Sequence, residues 1–140
     1  MSLKKTLSII KPDAIEAKYH GKIIDFLENK GFKIVAQKKL QLSKAQAEAF
    51  YDIHKERPFF KDLVDFMISG EIVAQVLEAE NAVPFYRELM GDTNPEKAEN
   101  DTLRKLYGTN IQCNAVHGSD SDENAIKEIS FFFSKLELIN

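Results

Sequence analysis

The chain offers almost nothing from which a disulfide, a glycine-rich phosphate loop or a membrane span could be built. Its one cysteine, Cys113, cannot close an internal disulfide, and without a partner it reads as a small buried filler. The six glycines stand at 21, 31, 70, 91, 108 and 118. None falls in a G-x-G-x-x-G or Walker A spacing, so phosphate chemistry here has to rest on side-chain cations. Histidine is scarce too: His20, His54 and His117 are scattered and lack metal-ligand spacing, which speaks against a structural zinc site. No apolar run reaches the length that crosses a bilayer, and Met1 to Lys5 leads straight into an alternating segment without a signal-peptide h-region. A cytoplasmic protein with no membrane partner is the expectation. A formal net charge of −3 gives no basic surface to displace counterions from nucleic acid, so a nucleic-acid partner is not expected either. Repeats, low-complexity tracts and linkers are also missing. With 44% apolar and 29% charged residues, positions 1–140 read as a single domain able to bury one core.

What is there is a regular alternation of strand and helix patterns. Thr6 to Lys11 reads as a buried strand stopped by Pro12, and Lys22 to Lys30 as a helix with Ile23, Ile24, Phe26 and Leu27 inward, ended by Gly31 at the C′ position. Phe32, Ile34, Ala36, Leu40 and Leu42 alternate with polar neighbours, which predicts a second strand with one wet face. Ser43 and Gln46 form a capping box for the next helix, and another helix runs from Phe59 to Ile68. Ile72 to Leu77 is a third strand, Asn81 caps a helix carrying Val83, Tyr86 and Met90, and Gly91 to Gly108 is looser. A short fourth strand at 113–117 precedes a closing helix. This order predicts an α+β chain of the ferredoxin-like, split βαβ type: a four-stranded antiparallel sheet covered by helices. That architecture alone assigns no activity.

The chemistry concentrates in Asn114-Ala115-Val116-His117-Gly118-Ser119-Asp120-Ser121. A histidine at the end of an apolar run, against a glycine and three oxygen-bearing side chains, has the makings of a nucleophile if its ring is held neutral and aimed. In the closing helix Ala125, Ile126, Ile129, Phe132 and Phe133 form an apolar stripe, and Glu128 sits on its edge. A carboxylate there needs a donor, and the ring N–H of His117 is the nearest candidate. The plainer role for this stretch is structural, with Asp120 and Glu123 close to a capping box for the helix.

The full string resembles the active-site signature of the nucleoside diphosphate kinases. Thr6 to Ala14 resembles that family's first-strand signature, as do Phe50 to Phe60, Tyr86 to Pro95 and the shorter Thr102-Leu103-Arg104. The resemblance covers essentially the whole chain and is to bacterial-type members with a short C-terminus. Two stretches depart from it: Glu99-Asn100-Asp101-Thr102 stands where the family commonly has a Pro-Gly-Thr turn, and Lys105-Leu106-Tyr107-Gly108 follows no usual pattern. The first leaves Asn100 or Asp101 to take the left-handed conformation that glycine normally supplies.

The resemblance implies ping-pong transfer of the γ-phosphate of a nucleoside triphosphate, mainly ATP, to a nucleoside diphosphate through a phosphohistidine at His117. It implies that Glu128, with Ser119, orients the ring and leaves Nδ1 to react, and that Lys11 and Tyr51 serve the transferring group. Arg87, Arg104 and Thr93 would hold the phosphates, Asn114 the sugar, and Phe59, Leu63 and Ile111 the base. Mg2+ would arrive on the nucleotide, with no metal site made of protein side chains. Partners would be ATP, GTP, CTP, UTP, their deoxy forms and the diphosphates, and the chain would form a homo-oligomer, a tetramer in preference to a hexamer. Two rivals from other classes stand against this. A protein-directed phosphohistidine carrier needs no base slot, and a nucleotide sensor needs no His117–Glu128 pair.

Overall fold

From Thr6 to Ile10 every side chain of the first strand is buried, because this strand lies inside the sheet and both its faces are covered. The computed structural model describes residues 3–139. In it β1 (Leu3–Ile10) is followed by α1 (Pro12–Glu16), α2 (His20–Asn29), β2 (Lys33–Leu40), α3 (Lys44–Phe50) and α4 (Phe60–Met67). Then come β3 (Ile72–Glu80), α5 (Ala82–Met90), α6 (Leu103–Tyr107), β4 (Val116–Gly118) and α7 (Asp122–Phe132). The sheet order is β2-β3-β1-β4, with every neighbouring pair antiparallel, the expected ferredoxin-like arrangement.

One apolar cluster on the sheet gathers Leu7, Ile9, Val64, Met67, Ala74, Val76, Ile129 and Phe132. The other gathers Ile10, Ile23, Leu27, Val73, Leu77, Tyr86, Met90 and Val116. Alternate residues of β1 thus serve opposite faces. Local signals hold where they are short-range: Ser43 and Gln46 exchange both bonds of a capping box, and Gly31 takes φ +106° just past α2.

Several expectations need correction. In β2 the alternation slips between Ile34 and Ala36, so Val35 is fully buried while Ile34 and Ala36 are half-buried; a bulge inserts one residue and re-aims its neighbours. In α2 only Ile23 and Leu27 are buried, with Ile24 and Phe26 at the margin. Asn81 precedes α5 but caps nothing with its side chain, because it sits in the left-handed region at φ +52°. At α7 the cap is Ser121, which accepts from the Asn124 backbone N–H at 3.0 Å, while Asp120 accepts from the Asn124 side chain. Ile126 points outward at 71% exposure, since the buried stripe follows 125, 129 and 132. The segment 91–108 is not merely loose: Asn94 caps a 3-10 turn at Pro95–Lys97, and Thr102 caps α6. The expected left-handed residue there is Asp101, at φ +63°.

Candidate active site

The fourth strand is shorter and later than its apolar run suggests, because Ala115 adopts φ +74° and breaks the extended backbone. A left-handed alanine is strained by roughly 1–3 kcal/mol and persists only where its surroundings over-determine it. Here both its backbone groups are fixed by residues about a hundred positions away: its N–H donates to Asp13 Oδ2 at 3.1 Å, and its carbonyl accepts from the Lys11 N–H at 2.8 Å. The kink brings Asn114, Val116 and His117 against the end of β1, where Ile9 pairs with His117 and Ile10 with Val116.

His117 Nε2 lies 3.0 Å from Glu128 Oε1, and the Ser119 hydroxyl donates to the same oxygen at 2.8 Å. A carboxylate accepts only, so Nε2 is the nitrogen that donates here, and in the neutral tautomer this leaves the lone pair on Nδ1. His117 and Glu128 are each 21% exposed, open enough to meet a ligand yet largely shielded from water. The rings of Phe50 and Tyr51 stand edge-on to the imidazole, with centroids 5.6 and 6.3 Å away. The Tyr51 hydroxyl is buried with no hydrogen-bond partner among the described residues, and burial, with Glu128 adding to it, raises its pKa. An orphaned buried donor beside a poised histidine is a place for a ligand oxygen.

Cations cluster beside it. Lys11 is buried, and its Nζ donates to Asn114 Oδ1 at 2.8 Å; the Asn114 amide in turn donates to the Thr93 carbonyl at 3.0 Å. Burial, and then the Arg104 charge, lower the Lys11 pKa from 10.5 to about 8. Arg104 is likewise buried and its pKa lowered by that burial. Its NH1 donates to the Gly91 carbonyl at 3.1 Å and its NH2 to the Val116 carbonyl at 3.0 Å. Part of its fork therefore braces the two chain segments, while Nε has no partner among the described residues.

Lys11, Phe59, Leu63, Thr93 and Ile111 line one cleft of about 590 Å³, with Asp62 and Gln112 beside them. Phe59 is 50% and Ile111 60% exposed, so two apolar surfaces face solvent across a slot without filling it. Arg87 does not line this cleft; it borders a separate depression with Gly91, Asp92, Lys97 and Thr102. A larger groove of about 1110 Å³, lined by Asp13, His20, Lys39 and Cys113 among others, lies apart from His117. Cys113 is thus half-buried and free, not the filler expected of it. Sequence reading missed Asp13, Ala115, Phe50, Asp62 and Gln112. Asp13, Phe50 and Ala115 lay inside stretches already singled out, without a role of their own, while Asp62 and Gln112 lay outside them. Among the described residues no three of His, Cys, Asp or Glu gather to hold a metal ion, and no helix is long and apolar enough to cross a membrane.

A family model described as nucleoside diphosphate kinase matches residues 4–138. The chain is 59% identical over 139 residues to the nucleoside diphosphate kinase of Persephonella marina, covering 99% of each. To that of Wolinella succinogenes it is 60% identical over 136 residues, 97% of this chain and 99% of the relative. Among solved structures, the Aquifex aeolicus nucleoside diphosphate kinase superposes with TM-score 0.96 at 45% identity, covering 99% of this chain and all of that one. A Halobacterium salinarum nucleoside diphosphate kinase in complex with CDP gives 0.94 at 35% identity, covering 99% and 93%. With an aimed histidine, buried cations and an open apolar slot joined by likeness along nearly its whole length, the chain belongs to the nucleoside diphosphate kinase family.

Proposed function

We propose that residues 1–140, as one domain, carry the family's phosphate transfer between nucleotides through His117. The observation that supports this most is the 3.0 Å contact of Glu128 Oε1 with His117 Nε2, which favours the tautomer protonated at Nε2 and so a reactive Nδ1. In the first half-reaction the Nδ1 lone pair attacks the γ-phosphorus of a nucleoside triphosphate, mainly ATP. The bond to the β-phosphate oxygen breaks, and the diphosphate leaves with the bonding electrons. A second diphosphate then takes the phosphoryl group by the reverse of these steps. Ser119 and Glu128 hold the ring as it gains positive charge. The unpartnered Tyr51 hydroxyl and the Lys11 ammonium meet the transferring oxygens, and Asn114, already bonded to Lys11, meets the sugar. Phe59, Leu63 and Ile111 hold the base by stacking and packing. Thr93, Arg87 and the unused N–H groups of Arg104 hold the phosphates.

Mg2+ fits this site as a passenger on the nucleotide, since the nearby donors are mostly cationic or neutral; it would neutralise charge on the phosphate oxygens. ATP, GTP, CTP, UTP and their deoxy forms are the expected donors. As the strand at one end of the sheet, β2 offers an edge that suits assembly into a homo-oligomer, which we take to be a tetramer before a hexamer. The free thiol of Cys113 accords with a cytoplasmic location. A carrier that passes phosphate to another protein has no use for the slot between Phe59 and Ile111.

The test is incubation with γ-labelled ATP, removal of nucleotide, then addition of a different diphosphate. Label should appear on the protein, be lost in acid and survive alkali, as a phosphoramidate does, and move to the added diphosphate. Acid-stable label as the main product, or undiminished turnover in His117→Ala, would remove His117 from this role.

A further inference from the structure

We infer that Tyr86 is a positioning residue for phosphoryl transfer, fixing from the far side of the sheet the strand that presents His117. This rests on the reading of His117 as the phosphoryl acceptor. β4 has only 3 residues and pairs with β1 alone, through Ser8, Ile9 and Ile10. A strand that short is a low-stability element unless something else holds it. From the catalytic face Glu128 and Ser119 hold it. From the opposite face it rests on the fully buried Tyr86, whose ring lies so close to Gly118 that a Cβ added there would sit 2.8 and 2.9 Å from two ring carbons and 2.6 Å from Met90 Cε. Glycine at 118 is therefore the hollow into which the Tyr86 ring and the Met90 methyl fit.

The ring is itself pinned. The Tyr86 hydroxyl and Ser8 Oγ are 2.7 Å apart, and Ser8 is the residue that pairs with Gly118 in the ladder. Ser8 Oγ accepts from Gln75 Nε2 at 3.2 Å, and Gln75 Oε1 accepts from Gln37 Nε2 at 2.8 Å. Since Ser8 already accepts from Gln75, its own O–H is available to donate to Tyr86. A line of polar side chains thus crosses β2, β3 and β1 and ends under the residue next to His117. Ser8 and Gln75 are fully buried, so removing the phenol oxygen strands the Ser8 proton away from water. Ser8 and the ring then have to re-aim, and Gly118 moves with them. A shift of about 1 Å at a reacting group is enough to cost on the order of 100-fold. Smaller displacements, of tenths of an ångström, should cost about 10-fold, on the scale of residues that orient a reactive histidine.

The test measures the single-turnover rate of acid-labile labelling by excess ATP in the full chain and in Tyr86→Phe, Ser8→Ala and the double variant, with KM for the diphosphate and melting temperature alongside. Tyr86→Phe should label to the same final stoichiometry but about 10-fold more slowly, with KM within about twofold. Ser8→Ala should slow labelling similarly, and the double variant should be no slower than either single, because all three break the same link. A labelling rate unchanged in both single variants, whatever the melting temperature does, overturns the inference, as do fully additive losses. If Tyr86→Phe does not fold, the Ser8→Ala rate decides alone. Failure of the parent protein to label would instead overturn the reading of His117 and is seen before any variant is made.

Discussion

Replacing Glu128 by glutamine keeps an oxygen where His117 and Ser119 need one and removes the charge behind it. Both contacts converge on Oε1, at 3.0 and 2.8 Å, and the glutamine carbonyl can accept both. The loss therefore appears mainly when the ring becomes positive. With about half a unit of charge on the imidazole at the transition state, 3.0 Å from the carboxylate and an effective dielectric near 20, the missing attraction is about 2–3 kcal/mol. That corresponds to roughly 30- to 150-fold in rate. Rapid-quench measurement of His117 labelling by excess ATP reads this directly, and thermal unfolding followed by circular dichroism should change little. Labelling within about twofold of the parent, together with a lowered melting temperature, would mean that the carboxylate only supports the fold and that the charge argument fails.

Tyr51→Phe removes a buried hydroxyl that has no partner, so thermal unfolding without nucleotide should show a gain of about 1 kcal/mol while phosphoryl transfer slows by at least 10-fold; loss of stability would mean that the hydroxyl is bonded in the resting protein. kcat/KM for nucleotide should fall as pH rises through the Lys11 pKa of about 8, because the free protein loses the cation, and kcat should fall only at higher pH, because bound phosphate holds the proton on. A flat kcat/KM from pH 6 to 10, about two units either side of that value, would refute a cationic Lys11 role. Phe59→Ala should raise KM by about 5- to 100-fold for every base alike, since stacking is worth roughly 1–3 kcal/mol and reads no base edge. A single base preferred by more than about 10⁴-fold in kcat/KM would show that the slot reads hydrogen bonds, with Asp62 and Gln112 as the side chains to examine.

The order of elements, from which the sheet order follows by a known arrangement, and the His117–Glu128 contact were legible because strand and helix periods are local and Glu128 lies only eleven residues after His117. Glu128 lay on the edge of a helical stripe, and the stripe's period told where it pointed. The Ser43–Gln46 box and Gly31 were legible for the same reason. What was hidden depends on distant partners. Nothing in the composition of Asn114-Ala115-Val116 marks alanine for the left-handed region; it is put there by Asp13 and Lys11 from the other end of the chain. The bulge at Val35 is a matter of register against β3, which no pattern within β2 records. Arg104 was read as a free fork for phosphate, yet two of its nitrogens are drawn to the Gly91 and Val116 carbonyls, which only the fold brings within reach. Arg87 was read with Arg104 and Thr93 as a holder of phosphates, and that it borders a depression of its own is likewise a matter of the fold.

The departures from ordinary local chemistry gather around the same few residues. Lys11 and Arg104 are two buried cations, each disfavoured by its burial, and the Arg104 charge further disfavours that of Lys11. For Lys11 the sign is definite: with a folded pKa near 8 against 10.5, burial opposes the charged form, so below pH 8 the fold carries the full penalty, and the penalty fades as pH rises from 8 toward 10.5. The gap corresponds to about 3 kcal/mol. Tyr51 adds a donor with no acceptor, and Ala115 adds a strained backbone. A polyanion set among these groups would relieve the first two kinds of cost at once, giving both cations a counter-charge and the phenol an oxygen. In transfer from a phosphate oxygen to an imidazole nitrogen the negative charge lies on the leaving oxygen and is spread over the three oxygens of the transferring group, so the relief follows the charge there. On the proposed reading the cost built into these residues is thus of the kind that favours the reacting phosphoryl group over the base and sugar, for which Phe59, Leu63, Ile111 and Asn114 are proposed.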